Sequence, residues 1–251
     1  MIGPDTLPLE ERADEPFWDW IDVGWFLAAL VPCIVVSLLL TQGVAAIAGK
    51  AMGLAGRALL MQCIAYASIF AMLWFIVELR HARSVWPALR WPWKFGDEPQ
   101  LLLAGFLLAL AVAFGGAAIH APRLDSPILK LMSDPIAALG VCLFGSTLGP
   151  AAEEAVFRGF LQPVLARRFG AWAAVVAISL AFAAMHGPQY SWSWKHLLLL
   201  AAASMCFGAV RVRWNSTGAS TLVHAAYNFT FFIGYFAQSH FLQGRTLNPH
   251  G

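Results

Sequence analysis

Seven apolar runs, at 21–47, 58–77, 101–119, 136–148, 171–185, 197–210 and 219–237, take up most of this chain. Most approach the ~20 residues that a helix needs to cross the hydrocarbon core of a bilayer. They are continuous, whereas the strands of a transmembrane barrel alternate polar and apolar residues over short segments. A spanning backbone has no water to bond and must satisfy its own polar groups, so the runs are expected to be helices. Composition agrees: 59% of the 251 residues are hydrophobic and 12% charged, against about 25% charged in soluble domains.

The expected fold class is therefore all-α: a polytopic transmembrane helix bundle of six to eight spans around an intramembrane polar cavity. The count is a range because residues 136–169 exceed one span, and Gly149-Pro150 falls inside them. Proline removes a backbone donor and kinks or ends a helix, so a break is expected there, with a new helix from near Ala151. No repeat or low-complexity segment divides the chain, and residues 1–251 are taken as one membrane domain with an acidic tail at 1–20.

The first 22 residues hold seven of the fourteen acids and one base, Arg12, the reverse of a signal peptide. Trp18, Trp20 and Trp25 are expected at the interface beyond this tail. The long polar connection 78–100 carries Arg80, Arg83, Arg90 and Lys94, which places it, and with it the N-terminus, in the cytoplasm by the positive-inside rule. Ser126-Pro127 suggests a short surface helix. Cys33, Cys63, Cys142 and Cys206 fall in separate apolar runs without metal-ligand spacing and are expected to be small buried apolar residues. A net charge of +2 argues for no nucleic-acid partner.

The informative residues are the polar ones inside apolar runs. Glu153 and Glu154 are the only acids from residue 135 onward. A carboxylate at the centre of a membrane helix costs about 2.5–3.5 kcal/mol, and such groups mark functional sites. Glu154 and Arg158 are four apart and can pair on one face. Glu153, rotated by about 100°, is left without that partner, so two adjacent carboxyls acquire different roles. "FAAMH" sets His186 four residues after Phe182, and "HAAYN" sets His224 and Asn228 on one face of the last long run.

A water held between Glu153 and His186 could be deprotonated and attack a peptide carbonyl, with His224 and Asn228 donating to the oxyanion. Two histidines and a carboxylate, Glu153, His186 and His224, would equally make a zinc site with an open position. The residues alone leave both mechanisms open.

E-E-x-x-x-R ("EEAVFR"), F-x-x-x-H ("FAAMH") and H-x-x-x-N ("HAAYN"), in this order over roughly 145–235, resemble the CPBP family. That family includes the type II CAAX prenyl endopeptidases and bacteriocin-processing or self-immunity proteins. The resemblance implies an intramembrane endopeptidase with its cavity inside the bundle, open to the cytosol in the enzyme branch. It makes Glu153 the water-activating base with His186 as partner, His224 and Asn228 the oxyanion site, and Glu154 and Arg158 their support. A metal-free water is favoured over zinc, so no cofactor is expected. The implied partners are the bilayer and a membrane-associated peptide or protein, with or without a lipid. H-E-x-x-H, G-x-G-D and G-x-S-G, the marks of other intramembrane proteases, are absent. A non-catalytic immunity or scaffold protein is the alternative, followed by a proton-coupled transporter.

Overall fold

The computed structural model describes residues 16–49, 52–122, 131–132 and 135–238. Among them the regular structure is helical throughout. Helix α1 spans Trp20–Ala48, α2 Leu54–Trp74 with a π-helical turn at Phe75–Arg80, α3 Val85–Ala88 and α4 Glu98–Ala118. Then come α5 (Pro135–Ser146), α6 (Leu148–Glu154), a π-helical turn (Ala155–Leu161) and α7 (Gln162–Phe169). Helices α8 (Ala171–Met185), α9 (Trp194–Trp214) and α10 (Thr217–Gln238) complete the bundle. The Ser126-Pro127 helix and the acidic tail before residue 16 lie outside the described residues.

The chain passes between two ends of the bundle. At the N-terminal end, Arg80 pairs with Asp22 (2.7 Å), Arg167 donates to the Pro16 carbonyl (2.6 Å), and Thr217 N–H donates to the Arg90 carbonyl (2.7 Å). At the opposite end Lys195 donates to the His120 carbonyl (3.0 Å). Among the described residues seven helical stretches run between these ends: α1, α2, α4, the stretch α5–α7, α8, α9 and α10. Five are long and apolar enough to cross a membrane, α5–α7 counting as one stretch, Ile136–Phe169. Helix α8 has only 15 residues, and α10 has 22 but carries Ser220, His224 and Asn228. The chain is a polytopic all-α membrane protein.

Local sequence explains the starts and breaks. Asp19 caps α1 by accepting from the Ile21 and Asp22 N–H groups, while Asp22 accepts from the Asp19 N–H, a reciprocal capping box. The break in 136–169 falls at Thr147, not after Gly149-Pro150. A new helix starts at Leu148, which puts Pro150 in its first turn, where a missing N–H costs nothing. The π-helical turn follows directly after Glu154; single π turns inside helices recur at functional sites.

Two expectations are corrected. Trp18 is 1% exposed and donates its indole N–H to the Phe160 carbonyl at 2.9 Å, so it anchors a core with Phe26, Leu73 and Ile76 rather than resting at the interface. Cys63 and Cys206 are exposed on the bundle surface and Cys33 and Cys142 half-buried; a thiol is apolar enough to face lipid as well as core.

Helix α10 is held closest to α4. A Cβ on Gly105 would run into the Val223 carbonyl and the Ala226 methyl, so this approach requires glycine, a small-residue contact typical of packed membrane helices. It fixes the helix that carries His224 and Asn228.

Candidate active site

The deepest polar layer is built on α6 and the turn that follows. Glu154 and Arg158 are both 0% exposed. Arg158 Nη1 donates to Glu154 Oε1 at 3.0 Å, and Nη2 donates to the carbonyl of Ser204 at 2.8 Å and to its Oγ. The guanidinium also lies over the rings of Phe182 (5.1 Å) and Phe207 (5.5 Å). Dehydrating two charges costs several kcal/mol each, which a pair offsets only when its remaining donors and acceptors are met. Glu154 meets that condition: Oε1 accepts from Arg158 and from His224 Nδ1 (2.9 Å), and Oε2 from Ser220 Oγ (2.5 Å).

His224 links this layer to the next. A carboxylate only accepts, so the Nδ1 facing Glu154 carries the proton, and the ring lies stacked on Phe207 (4.3 Å, 18°). Its Nε2 then points at Glu153, 3.8 Å from Oε2. Ser220, His224 and Asn228 succeed one another at four-residue steps, so one face of α10 presents all three.

Glu153 faces outward into space. Its side chain keeps 23% of its exposure and borders a cavity of about 500 Å³. Tyr66, on α2, donates to its Oε1 at 3.2 Å, with the phenol ring stacked on Phe144 (5.5 Å, 12°). His186 lines the same cavity at the C-terminus of α8. Its Nδ1 lies 2.8 Å from the Phe182 carbonyl; a carbonyl only accepts, so Nδ1 is the donor and Nε2 of the neutral ring is left as an acceptor. Asn228 also borders the cavity and donates to the Gly145 carbonyl at 2.8 Å. That carbonyl belongs to the last turn of α5, where the break at Thr147 removes the helical partner.

The structure thus brings Glu153, His186, His224 and Asn228 around one cavity and places Glu154 and Arg158 in a buried layer behind it. Glu153's near histidine is His224; His186 shares the cavity from another wall. Tyr66, Ser204 and Ser220 are additions. Ser220 had a signal, four residues before His224; Tyr66 and Ser204 had none, since nothing local ties them to a carboxylate 87 residues away or a guanidinium 46 away.

The cavity also reaches Gly116, Ala121, His196 and Tyr235, at the end of α4, the start of α9 and the end of α10. Its mouth is therefore at the end of the bundle opposite the start of α1 and the 78–100 connection. A cytoplasmic 78–100 connection and a cavity open to the cytosol exclude each other in this arrangement.

Among the described residues no three His, Cys, Asp or Glu side chains are placed to hold one metal ion. No step below is routed through a metal.

Residues 135–230 match the family model of Rce1-like proteins, the type II CAAX prenyl endopeptidase Rce1-like family. This stretch is similar to an Rce1-like domain. It runs from the start of α5 into α10 and contains all three motifs, in agreement with the resemblance read from them. The match supports a membrane protease family for this stretch, and the apolar helices an integral membrane protein. Tyr66 lies outside it, so part of the cavity wall comes from the N-terminal half of the chain. No curated protein and no solved structure matches the chain.

Proposed function

We propose that the chain is an intramembrane endopeptidase that hydrolyses peptide bonds of membrane-associated substrates with a water activated by Glu153. The observation that carries this reading is the division of labour between two neighbouring carboxyls. Glu154 has both oxygens committed to Arg158, His224 and Ser220 and is absent from the lining of the cavity that Glu153 borders. Glu153 has one neutral donor, Tyr66, and turns its other oxygen to the cavity. A scaffold needs the first arrangement; only a reaction needs the second.

The water is held by Glu153, with the Nε2 acceptor of His186, on another wall of the same cavity, as its second partner. Glu153 takes one proton as the water oxygen bonds to the carbonyl carbon of the substrate. The carbonyl oxygen becomes an oxyanion, stabilised by His224 as an imidazolium, whose charge Glu154 balances, and by the second N–H of Asn228, whose first is held by Gly145. Collapse breaks the C–N bond, and Glu153 returns its proton to the leaving amine. Fixing these donors beforehand, through Glu154, Phe207 and Gly145, is what lets them act without reorganisation.

Leu59, Val112, Met132, Leu199 and Leu200 supply apolar cavity wall, which suits a membrane-embedded segment or a lipid-bearing peptide. The N-terminus is proposed to be cytoplasmic. Arg80, Arg83, Arg90, Lys94, Arg167, Arg168, Arg211 and Arg213 belong to the N-terminal end; Arg57 and Lys195 belong to the other, and the sequences joining α1 to α2 and α4 to α5 add Lys50, Arg123 and Lys130. In that orientation substrates reach the mouth from the non-cytoplasmic face.

The test is a terminal-peptide proteomics comparison of host membranes carrying wild type or Glu153→Gln at matched expression. Cleavage products present with wild type and lost with the variant are expected. Identical termini in both would remove the peptidase reading and leave a scaffold or immunity role.

A further inference from the structure

A second cavity, of about 290 Å³, opens at the N-terminal end of the bundle. Arg90, Arg158, Arg167 and Arg211 line it, together with Gln162 and Asn215, and no Asp or Glu is among its described lining residues. Two side-chain atoms on this wall are buried without a partner: Arg158 Nε, a donor, and Gln162 Oε1, an acceptor. Both residues are nearly inaccessible, at 0% and 3% exposure, and buried polar groups are otherwise almost always bonded. The N-terminus of α8 adds to the same field, because Ala171 borders the cavity and Gly170 caps the helix without a side-chain acceptor. Arg167 and Arg211 are steadied by bonds to Pro16 O (2.6 Å) and Asn215 Oδ1 (2.9 Å).

We infer that this cavity binds a phosphate group. A phosphate offers several acceptor oxygens to guanidinium forks, the geometry arginine matches best, and helix N-termini favour the same charge. Arg158 Nε gains an acceptor, and Gln162 Oε1 gains a donor from a P–OH or from the hydroxyl of a glycerol headgroup. The cavity sits at the end of the bundle where α1 starts, beside Phe17, Trp18 and Pro163, and the source of the phosphate is an anionic phospholipid or the solution. Occupancy would act on Arg158, which also holds Glu154. The inference stands without the peptidase reading.

The test is the thermal melt of the full chain in detergent, titrated with inorganic phosphate or with short-chain phosphatidylglycerol, against chloride at equal ionic strength. A saturable rise in melting temperature with either probe is expected, abolished in R90Q/R167Q. Phosphate activity assigns a soluble anion; a rise with the lipid alone assigns a headgroup. If R90Q/R167Q does not fold, N215D is the second variant; it keeps the shape and adds an anion, and should weaken binding by about tenfold. No rise with either probe, or a rise unchanged in the variants, overturns the assignment. So does a rise that appears only after D5N/E10Q/E11Q/D14N/E15Q, since the cavity would then take the carboxylates of the chain's own tail.

Discussion

Tyr66 donates its phenolic hydrogen to Oε1 of Glu153 at 3.2 Å, across 87 residues of sequence. The bond holds one oxygen of the carboxylate and so aims the other at the cavity and at His224. A hydrogen bond to a charged group is worth about 1.5–3 kcal/mol. Tyr66→Phe keeps the ring stacked on Phe144 and removes only the hydroxyl. It should lower kcat by roughly tenfold or more with KM and the melt little changed. A wild-type kcat for Tyr66→Phe would show that Glu153 needs no such positioning.

Arg158→Ala should behave differently. It strands the buried Glu154 carboxylate and the Ser204 carbonyl that Arg158 now bonds. Removing one partner of a buried pair costs about 3–5 kcal/mol, a large part of the margin of most folds. Thermal melts in detergent should show a marked loss. Equal melts for Arg158→Ala and wild type would mean that the pair carries little of the fold.

The bundle places the start of α1 and the cavity mouth at opposite ends, whichever way the protein is inserted. A fusion reporter at the N-terminus and membrane-impermeant thiol labelling at Gln189→Cys, in a chain with its four cysteines replaced, should report opposite sides of the membrane. Reports from the same side would break the seven-pass order.

Much of the fold was legible because hydrophobic length is a coarse, cumulative signal: all seven apolar runs became helical passes. The break in 136–169 was legible only in part. Proline announces an interruption, yet Pro150 is compatible with a first turn, so the break moved back to Thr147. The site was legible wherever its residues share a helix face, as Glu154 with Arg158 and His224 with Asn228 do. Contacts between distant helices were not. Trp18 with Phe160, Tyr66 with Glu153 and Arg158 with Ser204 each depend on how α1, α2 and α9 dock, which no local pattern encodes.

Metal chelators test the chemistry from another side. The proposed water is held by Glu153 and His186 alone, so EDTA or 1,10-phenanthroline should leave turnover by the purified protein unchanged. Loss of activity with the chelator, restored by zinc, would replace the metal-free mechanism with a Lewis-acid one.

The central claim is that Glu153 reacts while Glu154 supports, and the most direct measurement is turnover and thermal melting of Glu153→Gln beside Glu154→Gln. Glu153→Gln should abolish turnover at a near wild-type melting temperature, because the base is lost and the shape kept. Glu154→Gln should lower the melting temperature, because it leaves Arg158 without its counter-charge. Turnover that survives Glu153→Gln would contradict the account.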